Sequence, residues 1–162
     1  MTIRRPLVLL AVAALAGCAG LGLPLADQRT TQGPTAEDLW AYQVTIRDGR
    51  TPTFEEKRHW EGHLDEQISR YLREHPEAAS SVDVSTFRFH RQVTVGMVKE
   101  QVLLLLGPPL ALTTDAAEME KVARRFWPAI QGNATEAWVY PLGWQLYFAG
   151  PRLVDIVRYL ER

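Results

Sequence analysis

Apolar side chains recur at helical spacing in the middle of the chain. Between residues 53 and 74 they fall every three or four positions, at Trp60, Leu64, Ile68, Tyr71 and Leu72. The sequence Thr-Phe-Glu-Glu over 53–56 fits a capping box, in which the threonine and the last glutamate accept hydrogen bonds from free amides. Pro76 cannot continue the segment. The pattern predicts an amphipathic helix over 53–74.

Two more helices are predicted in the second half of the chain. Residues 97–106 form a compact apolar segment that is closed by Gly107 and two prolines. A further helix starts behind Asp115 and ends before Pro128. Its apolar residues at i, i+3, i+4 and i+7 are Met119, Val122, Ala123 and Phe126.

Alternation with a period of two predicts a strand near the start of the folded part. In residues 39–47 the side chains alternate between bulky apolar and smaller or polar ones, and Asp48-Gly49 is a turn signal. A leading helical turn fits the start of the same segment. Residues 78–95 are harder to interpret: a short strand over 87–89 and a helical turn over 84–89 both fit.

Three short apolar segments close the chain, at 137–140, 144–149 and 153–160, with turn residues between them. Connections this short require antiparallel neighbours, and therefore a β-meander. A three-stranded sheet needs a helical cover to be stable. The predicted fold class is α+β, with helices packed on one face of a three-stranded antiparallel β-meander and an extra N-terminal strand and helix.

The N-terminal residues have the layout of a secretory signal. Arg4 and Arg5 precede a wholly apolar segment over 7–15, and small residues follow it. The sequence Leu-Ala-Gly-Cys over 15–18 resembles the lipobox of bacterial lipoprotein precursors. This resemblance implies cleavage of a signal peptide over 1–17 and attachment of lipid to Cys18, and Ala19 is similar to the residue that accompanies outer-membrane sorting. An uncleaved membrane anchor and a plain soluble protein are the alternatives.

Composition and charge narrow the remaining function classes. Residues 18–35 are rich in glycine, proline and polar residues, which predicts a flexible tether before a single domain over 36–162. The net charge is -1 and no run of basic residues occurs, so we expect no nucleic-acid partner. One cysteine cannot form an internal disulfide or a cysteine-based zinc site.

Two histidines are the only metal-site candidates that the spacing suggests. His59 and His63 lie one helical turn apart, as metal-binding pairs require. The metalloprotease pattern has glutamate directly after the first histidine, however, and Trp60 stands there. Solvated helix histidines are the simpler interpretation and a weak metal site is the alternative. We therefore predict no catalytic residues, no metal and no cofactor.

A second resemblance covers residues 93–160. The segment Val-Gly-Met-Val-Lys-Glu-Gln-Val-Leu-Leu-Leu-Leu-Gly-Pro-Pro over 95–109 resembles the opening of the SmpA/OmlA (BamE-like) lipoprotein domain. The strand sequences Trp-Val-Tyr (138–140), Leu-Tyr-Phe (146–148) and Val-Asp-Ile (154–156) are similar to the motifs that follow in that family. Val98 departs from the pattern, since the family has threonine or serine there as a helix cap, and the helices before and after the opening motif are additions.

The resemblance implies both a fold and a function. Its fold has helices packed on a three-stranded antiparallel sheet, similar to the β-lactamase inhibitor protein. Family members are non-enzymatic and bind other proteins at the outer membrane, and one contributes to assembly of β-barrels. We therefore expect a non-catalytic lipoprotein of the cell envelope, anchored to the outer membrane through Cys18, facing the periplasm, and acting through contact with an unknown envelope protein. A periplasm-facing binding or inhibitor module is the alternative, followed by a metal-dependent periplasmic enzyme.

The strand aromatics are the candidate partner-binding residues. Apolar side chains occur on both faces of the predicted sheet, and helices cover one of them. The other face is either covered by the additional helix and the N-terminal strand, or open to a partner. The candidates are Trp138, Tyr140, Trp144 and Tyr147.

Overall fold

The computed structural model describes residues 27–160. The predicted signal peptide, Cys18 and the first part of the tether lie outside the described residues. The helices are α1 (Ala36–Asp48), α2 (Phe54–Glu74), α3 (Pro76–Ala79), α4 (Lys99–Leu106), α5 (Ala116–Ala123) and α6 (Trp127–Ile130). The strands are β1 (Gln28–Thr30), β2 (Gln32–Thr35), β3 (Gln92–Thr94), β4 (Ala111–Thr113), β5 (Glu136–Val139), β6 (Trp144–Ala149) and β7 (Arg152–Arg158).

The main sheet contains the predicted meander but is wider. β5, β6 and β7 are consecutive antiparallel neighbours, as expected, and β4 and β1 extend the sheet at its two edges. The order is β1-β7-β6-β5-β4, so the protein is α+β with a five-stranded sheet instead of a three-stranded one. Within residues 27–160, no helix has both the length and the apolar character needed to cross a membrane.

The prediction of a tether up to residue 35 is wrong for its last part. β1 pairs with β7, and the side chain of Arg29 forms an ion pair with the buried carboxylate of Asp155 at 2.6 Å. β2 pairs with β3 in a separate two-stranded sheet, and Gly33 lies against Val93. The folded part therefore begins at least eight residues earlier than predicted.

The prediction of a strand over 39–47 is also wrong, because this segment is helix α1. The side chain of Thr35 accepts a hydrogen bond from the amide of Asp38, and Gly49 ends the helix in the left-handed conformation at φ 69°. Leu39 and Val44 are buried, whereas Ile46 is 69% exposed. The apolar alternation therefore does not correspond to a buried face.

The predicted helix over 53–74 is confirmed. The hydroxyl of Thr53 accepts from the amide of Glu56, and the Glu56 carboxylate accepts from the amide of Thr53, which completes the capping box. The second predicted helix is confirmed as α4, which ends at Gly107. Val98 occupies its N-cap, and the side chain of Gln101 accepts a hydrogen bond from the Val98 amide at 3.0 Å.

Two less regular segments also depart from the simplest expectation. Residues 86–90 form a π-helical turn, which agrees with the helical alternative, and the strand β3 follows it. The third predicted helix is broken. Arg124 takes a positive φ of 48° at the end of α5, a 3-10 turn follows, and Pro128 lies inside the first turn of α6 instead of after the helix.

Helices cover both faces of the main sheet, which corrects the prediction of one covered face. On the first face α1, α2 and α4 pack on a core that includes Leu146, Phe148 and Ile156. On the second face α5 and α6 pack on Tyr147, Val157 and Tyr159. The helix predicted behind Asp115 therefore covers the second face, as one of the two alternatives proposed, whereas residues 39–47, expected there as a strand, pack on the first face as α1.

Candidate functional site

The four aromatic residues predicted as a partner surface lie inside the protein. Trp138, Tyr140, Trp144 and Tyr147 are at most 7% exposed, so they do not present an open face. Burial raises the pKa of Tyr140 and of Tyr147 well above its usual range. Their hydroxyls donate to the carbonyl of Gly107 at 2.8 Å and to the side chain of Gln145 at 2.9 Å. These residues stabilise the two cores, and the candidate surface lies elsewhere.

An open groove separates helices α1, α2 and α4 on the first face of the sheet. It has a volume of about 560 Å³. Trp40 of α1 and Trp60 of α2 both line it and stack on each other, with ring centroids 4.7 Å apart and planes 11° from parallel. Leu103 of α4 lines the facing wall and is 41% exposed. This groove places several apolar side chains within reach of solvent.

One side of the groove is polar. His63, Gln67, Arg70 and Glu74 follow one another at helical spacing along α2 and line it. A nitrogen of the His63 ring lies 3.1 Å from the Gln67 amide nitrogen. The groove thus combines an aromatic floor with charges of both signs and hydrogen-bonding groups at its edge. Such a combination suits a protein segment that inserts an apolar side chain while its polar backbone contacts the edge of the groove.

A second depression lies on the other side of the stacked tryptophans. It has a volume of about 390 Å³ and shares Trp40, Trp60 and His63 with the groove. Arg47, Glu56 and His59 surround it. Hydrogen bonds from Arg50 and from Thr53 hold the pKa of the Glu56 carboxyl far below its usual range, so this carboxylate stays charged. The two depressions form one strip along α1 and α2.

The histidines that sequence spacing singled out do not converge with other ligands. His59 and His63 are both exposed on α2. In the part of the chain that the structure describes, no group of three or more His, Cys, Asp or Glu residues is arranged to hold a metal ion. Both histidines instead belong to the edge of the strip, where they are available for contact.

A charged pair holds the start of α4 against the sheet. Lys99 bonds the carboxylate of Glu136, which also accepts from the indole of Trp138. Burial raises the pKa of Glu136, but these two hydrogen bonds outweigh it, and the pKa lies below its usual value. The Lys99 ammonium lies 5.5 Å from the centre of the Phe148 ring. This cluster positions the α4 wall of the groove.

The sequence prediction missed the groove because it assigned α1 to a strand. Trp40 and Trp60 are twenty residues apart, and they meet only when both segments are helical. Three local signals were present: Thr35 is a helix N-cap residue, the acidic Asp38 lies in the first turn, and Gly49 follows the last turn. Together these helix-end signals favour a helix over the strand that the alternation of apolar residues predicted.

Comparisons with known proteins do not assign the chain to a family. No family model matches it, and no curated protein and no solved structure matches it either.

Proposed function

We propose that this protein is a non-catalytic lipoprotein of the cell envelope, anchored to the outer membrane through Cys18, that binds another envelope protein. The observation that carries the binding role is the open groove with stacked Trp40 and Trp60. Tryptophan is enriched among residues that dominate binding energy, because it buries a large rigid surface at a small entropic cost. The anchor rests on the lipobox over residues 15–18.

The occupant that fits this groove is a protein segment with exposed apolar or aromatic side chains. One or two such side chains would pack on Trp40 and Trp60. The edge formed by Gln67, Arg70 and Glu74 would form hydrogen bonds and ion pairs with the backbone and charged groups of the same segment. The resemblance of residues 93–160 to the BamE-like domain supports the same class of function. Under this proposal the partner belongs to the machinery of the envelope, and assembly of outer-membrane β-barrels is the role that the resemblance implies.

A photo-crosslinking residue introduced at Leu103 tests the groove in intact cells. We expect Leu103→(photo-crosslinker) to form a covalent adduct with an envelope protein, because this side chain is 41% exposed in the groove wall. The same probe at Val82, which is 96% exposed and does not line the groove, is the matched control. Adducts of equal yield and identity at both positions, or no adduct at Leu103, would overturn the proposed binding role.

A ligand-binding module is the second candidate, because the groove volume lies within the usual range for small-molecule sites of about 300–1,000 Å³. Native mass spectrometry of the protein extracted from membranes separates the two. A stoichiometric small molecule that is lost in Trp60→Ala, together with no protein adduct at Leu103, would favour the ligand.

The anchor has its own test. In Cys18→Ala we expect the precursor to remain uncleaved and palmitate labelling to disappear, since the acceptor sulfur is gone. Normal processing of Cys18→Ala would refute the lipoprotein assignment without bearing on the groove.

A further inference from the structure

One end of the main sheet combines exposed leucines, arginines and the point where the chain leaves toward Cys18. Arg158 is the last residue of β7 and pairs with Gln28 of β1 on one side and with Trp144, the first residue of β6, on the other. The turn over 140–143 and the start of β4 lie at the same end, because Ala111 pairs with Val139. We call this region the arginine end. It contains Arg124, Arg125, Arg158, Leu110 and Leu142.

The arginines here are held by aromatic rings. The guanidinium carbon of Arg124 lies 4.3 Å from the ring centre of Tyr159, and that of Arg158 lies 4.8 Å from Trp144. Arg125 lies over Phe126 and donates a hydrogen bond to the carbonyl of Asp27. Within residues 27–160, none of the three forms an ion pair with a carboxylate. Arg124 and Arg125 are exposed, so their charge is available to an anion outside the domain, whereas Arg158 is only partly exposed.

The acidic groups at the arginine end do not cancel this charge. The Asp27 carboxylate accepts a hydrogen bond from the amide of Leu160 at 3.2 Å. Glu120 lies one turn before Arg124 on α5. The three arginines thus leave an excess of positive charge at this end.

Exposed apolar side chains accompany the arginines. Leu110 is 72% exposed, and Leu142 is 40% exposed at the tip of the β5–β6 turn. Leu142 also has a positive φ of 61°, a conformation that a bulky residue seldom adopts. Leucine beside arginine is the composition of surfaces that insert shallowly between anionic headgroups, because the leucines enter the acyl boundary while the arginines bind phosphates.

The length of chain between the lipid and the domain brings this end to the membrane. Asp27 is nine residues after Cys18, a distance that a fully extended chain spans in no more than about 32 Å. Asp27 itself is held by Arg125, so the arginine end is the part of the domain that the anchor holds closest to the bilayer. The opposite end of the sheet, where β7 begins, lies farther away by the length of the strands.

We infer that the arginine end rests on the anionic phospholipid surface of the membrane and orients the domain there. This inference rests on the proposed lipid anchor at Cys18. Its occupant is a bilayer with exposed phosphate headgroups, and its recognition is by charge and shallow insertion, without selection of one headgroup.

Depth-dependent quenching tests the orientation on the processed protein extracted from membranes and reconstituted into vesicles. An environment-sensitive fluorophore is attached to Leu142→Cys or to Val82→Cys. Val82 is the matched control, because it adjoins Asp83, which lies near Gly96 and so near the start of β7 at the opposite end. The vesicles contain phosphatidylcholine with brominated acyl chains, with or without one third phosphatidylglycerol.

With phosphatidylglycerol present, we expect at least threefold stronger quenching of the probe in Leu142→Cys than in Val82→Cys. The double substitution Arg124→Gln and Arg125→Gln should remove most of that difference, since each arginine near an anionic surface strengthens attraction about fivefold. The charge-matched double substitution Arg58→Gln and Arg73→Gln on α2, at two exposed positions outside the groove, should leave it unchanged. Equal quenching at both positions, or loss of the difference in both double variants, would overturn the inference.

Flotation on pure phosphatidylcholine vesicles separates this inference from the proposed anchor. A protein that floats there but shows no preference for Leu142→Cys is anchored without the proposed orientation. A protein that does not float there lacks the lipid. In that case the proposed orientation is supported only if phosphatidylglycerol restores both flotation and the quenching difference. If it does not, the inference fails together with the anchor.

Discussion

The substitution Gly143→Ala should be among the most damaging small changes in this protein. Gly143 has a φ of +77°, and a Cβ built on it would lie 1.8 Å from the carbonyl oxygen of Tyr159 and 2.8 Å from its carbonyl carbon. Cβ atoms essentially never approach other atoms within 3.0 Å, so the two backbones must separate by more than 1 Å. Tyr159 is not free to move, because its amide donates to Gly143 at 2.9 Å and its hydroxyl donates to Ala123.

The expected loss of stability follows from these contacts. The left-handed conformation costs an alanine about 1–2 kcal/mol. Loss of the hydrogen bond from Tyr159 adds about 1 kcal/mol, and repacking of its ring in the second core adds about 1–3 kcal/mol. The total of about 3–6 kcal/mol is a large share of the roughly 5–15 kcal/mol by which a domain of this size is stable.

Gly150→Ala is the matched control for Gly143→Ala. Gly150 also has a positive φ, of +58°, but a Cβ there would meet nothing within 4 Å. The substitution Gly150→Ala should therefore lower the free energy of unfolding by the conformational cost alone, about 1–2 kcal/mol. Urea unfolding followed by tryptophan fluorescence gives both values on the same protein, and a difference of about 2–4 kcal/mol corresponds to a midpoint lower by about 1–2 M. Equal midpoints for the two variants would refute the argument from close approach.

Three further predictions concern α4 and the groove. Val98→Thr should raise the free energy of unfolding by about 0.5–1 kcal/mol, measured by urea unfolding, since threonine can cap α4 where valine cannot; an unchanged midpoint would contradict this. Glu136→Gln should cost about 1–3 kcal/mol at pH 7, because it removes the charged partner of Lys99. The folded-state pKa of Glu136 is lowered, so this contribution is complete above its ordinary pKa of 4.5 and disappears as pH falls through the folded-state value; a difference between the two proteins that persists at the lowest pH would be inconsistent with the pair. Trp60→Ala should reduce the crosslinking yield at Leu103 at least tenfold, whereas Ile46→Ala, at a position that is 69% exposed, should leave it unchanged.

The parts of the fold that were predicted correctly have local causes. Helix α2 carries its own capping box and a continuous apolar stripe, so neighbours in sequence determine it. The meander follows from three apolar segments joined by turns that are too short for any other connection. Both patterns are complete within a few tens of residues, and both were therefore readable before the structure.

The edge strands were missed because they depend on distant partners, whereas α1 was missed although its end signals are local. Edge strands β1 and β4 have three residues each, and they carry no periodic pattern of their own. β1 exists only by pairing with β7, where Arg29 reaches Asp155, which lies 126 positions away. In α1 the alternation over 39–47 was a coincidence of composition, and the cap at Thr35 outweighed it. Because the groove needs α1 as a helix, one wrong element was enough to hide the site.

The groove and the arginine end are neighbours, and this restricts the kind of partner. α4 runs toward the arginine end, since the carbonyl of Gly107 at its end accepts from Tyr140. Pro108 lines the groove, and Leu110 lies two residues further at the arginine end. If that end rests on headgroups, a partner in the groove meets the protein close to the bilayer. A protein embedded in the outer membrane presents its surface at this height, so the Leu103 probe should capture such a protein near its membrane boundary. Adducts formed only with soluble periplasmic proteins would contradict the claim that the groove binds its partner while the arginine end rests on the membrane.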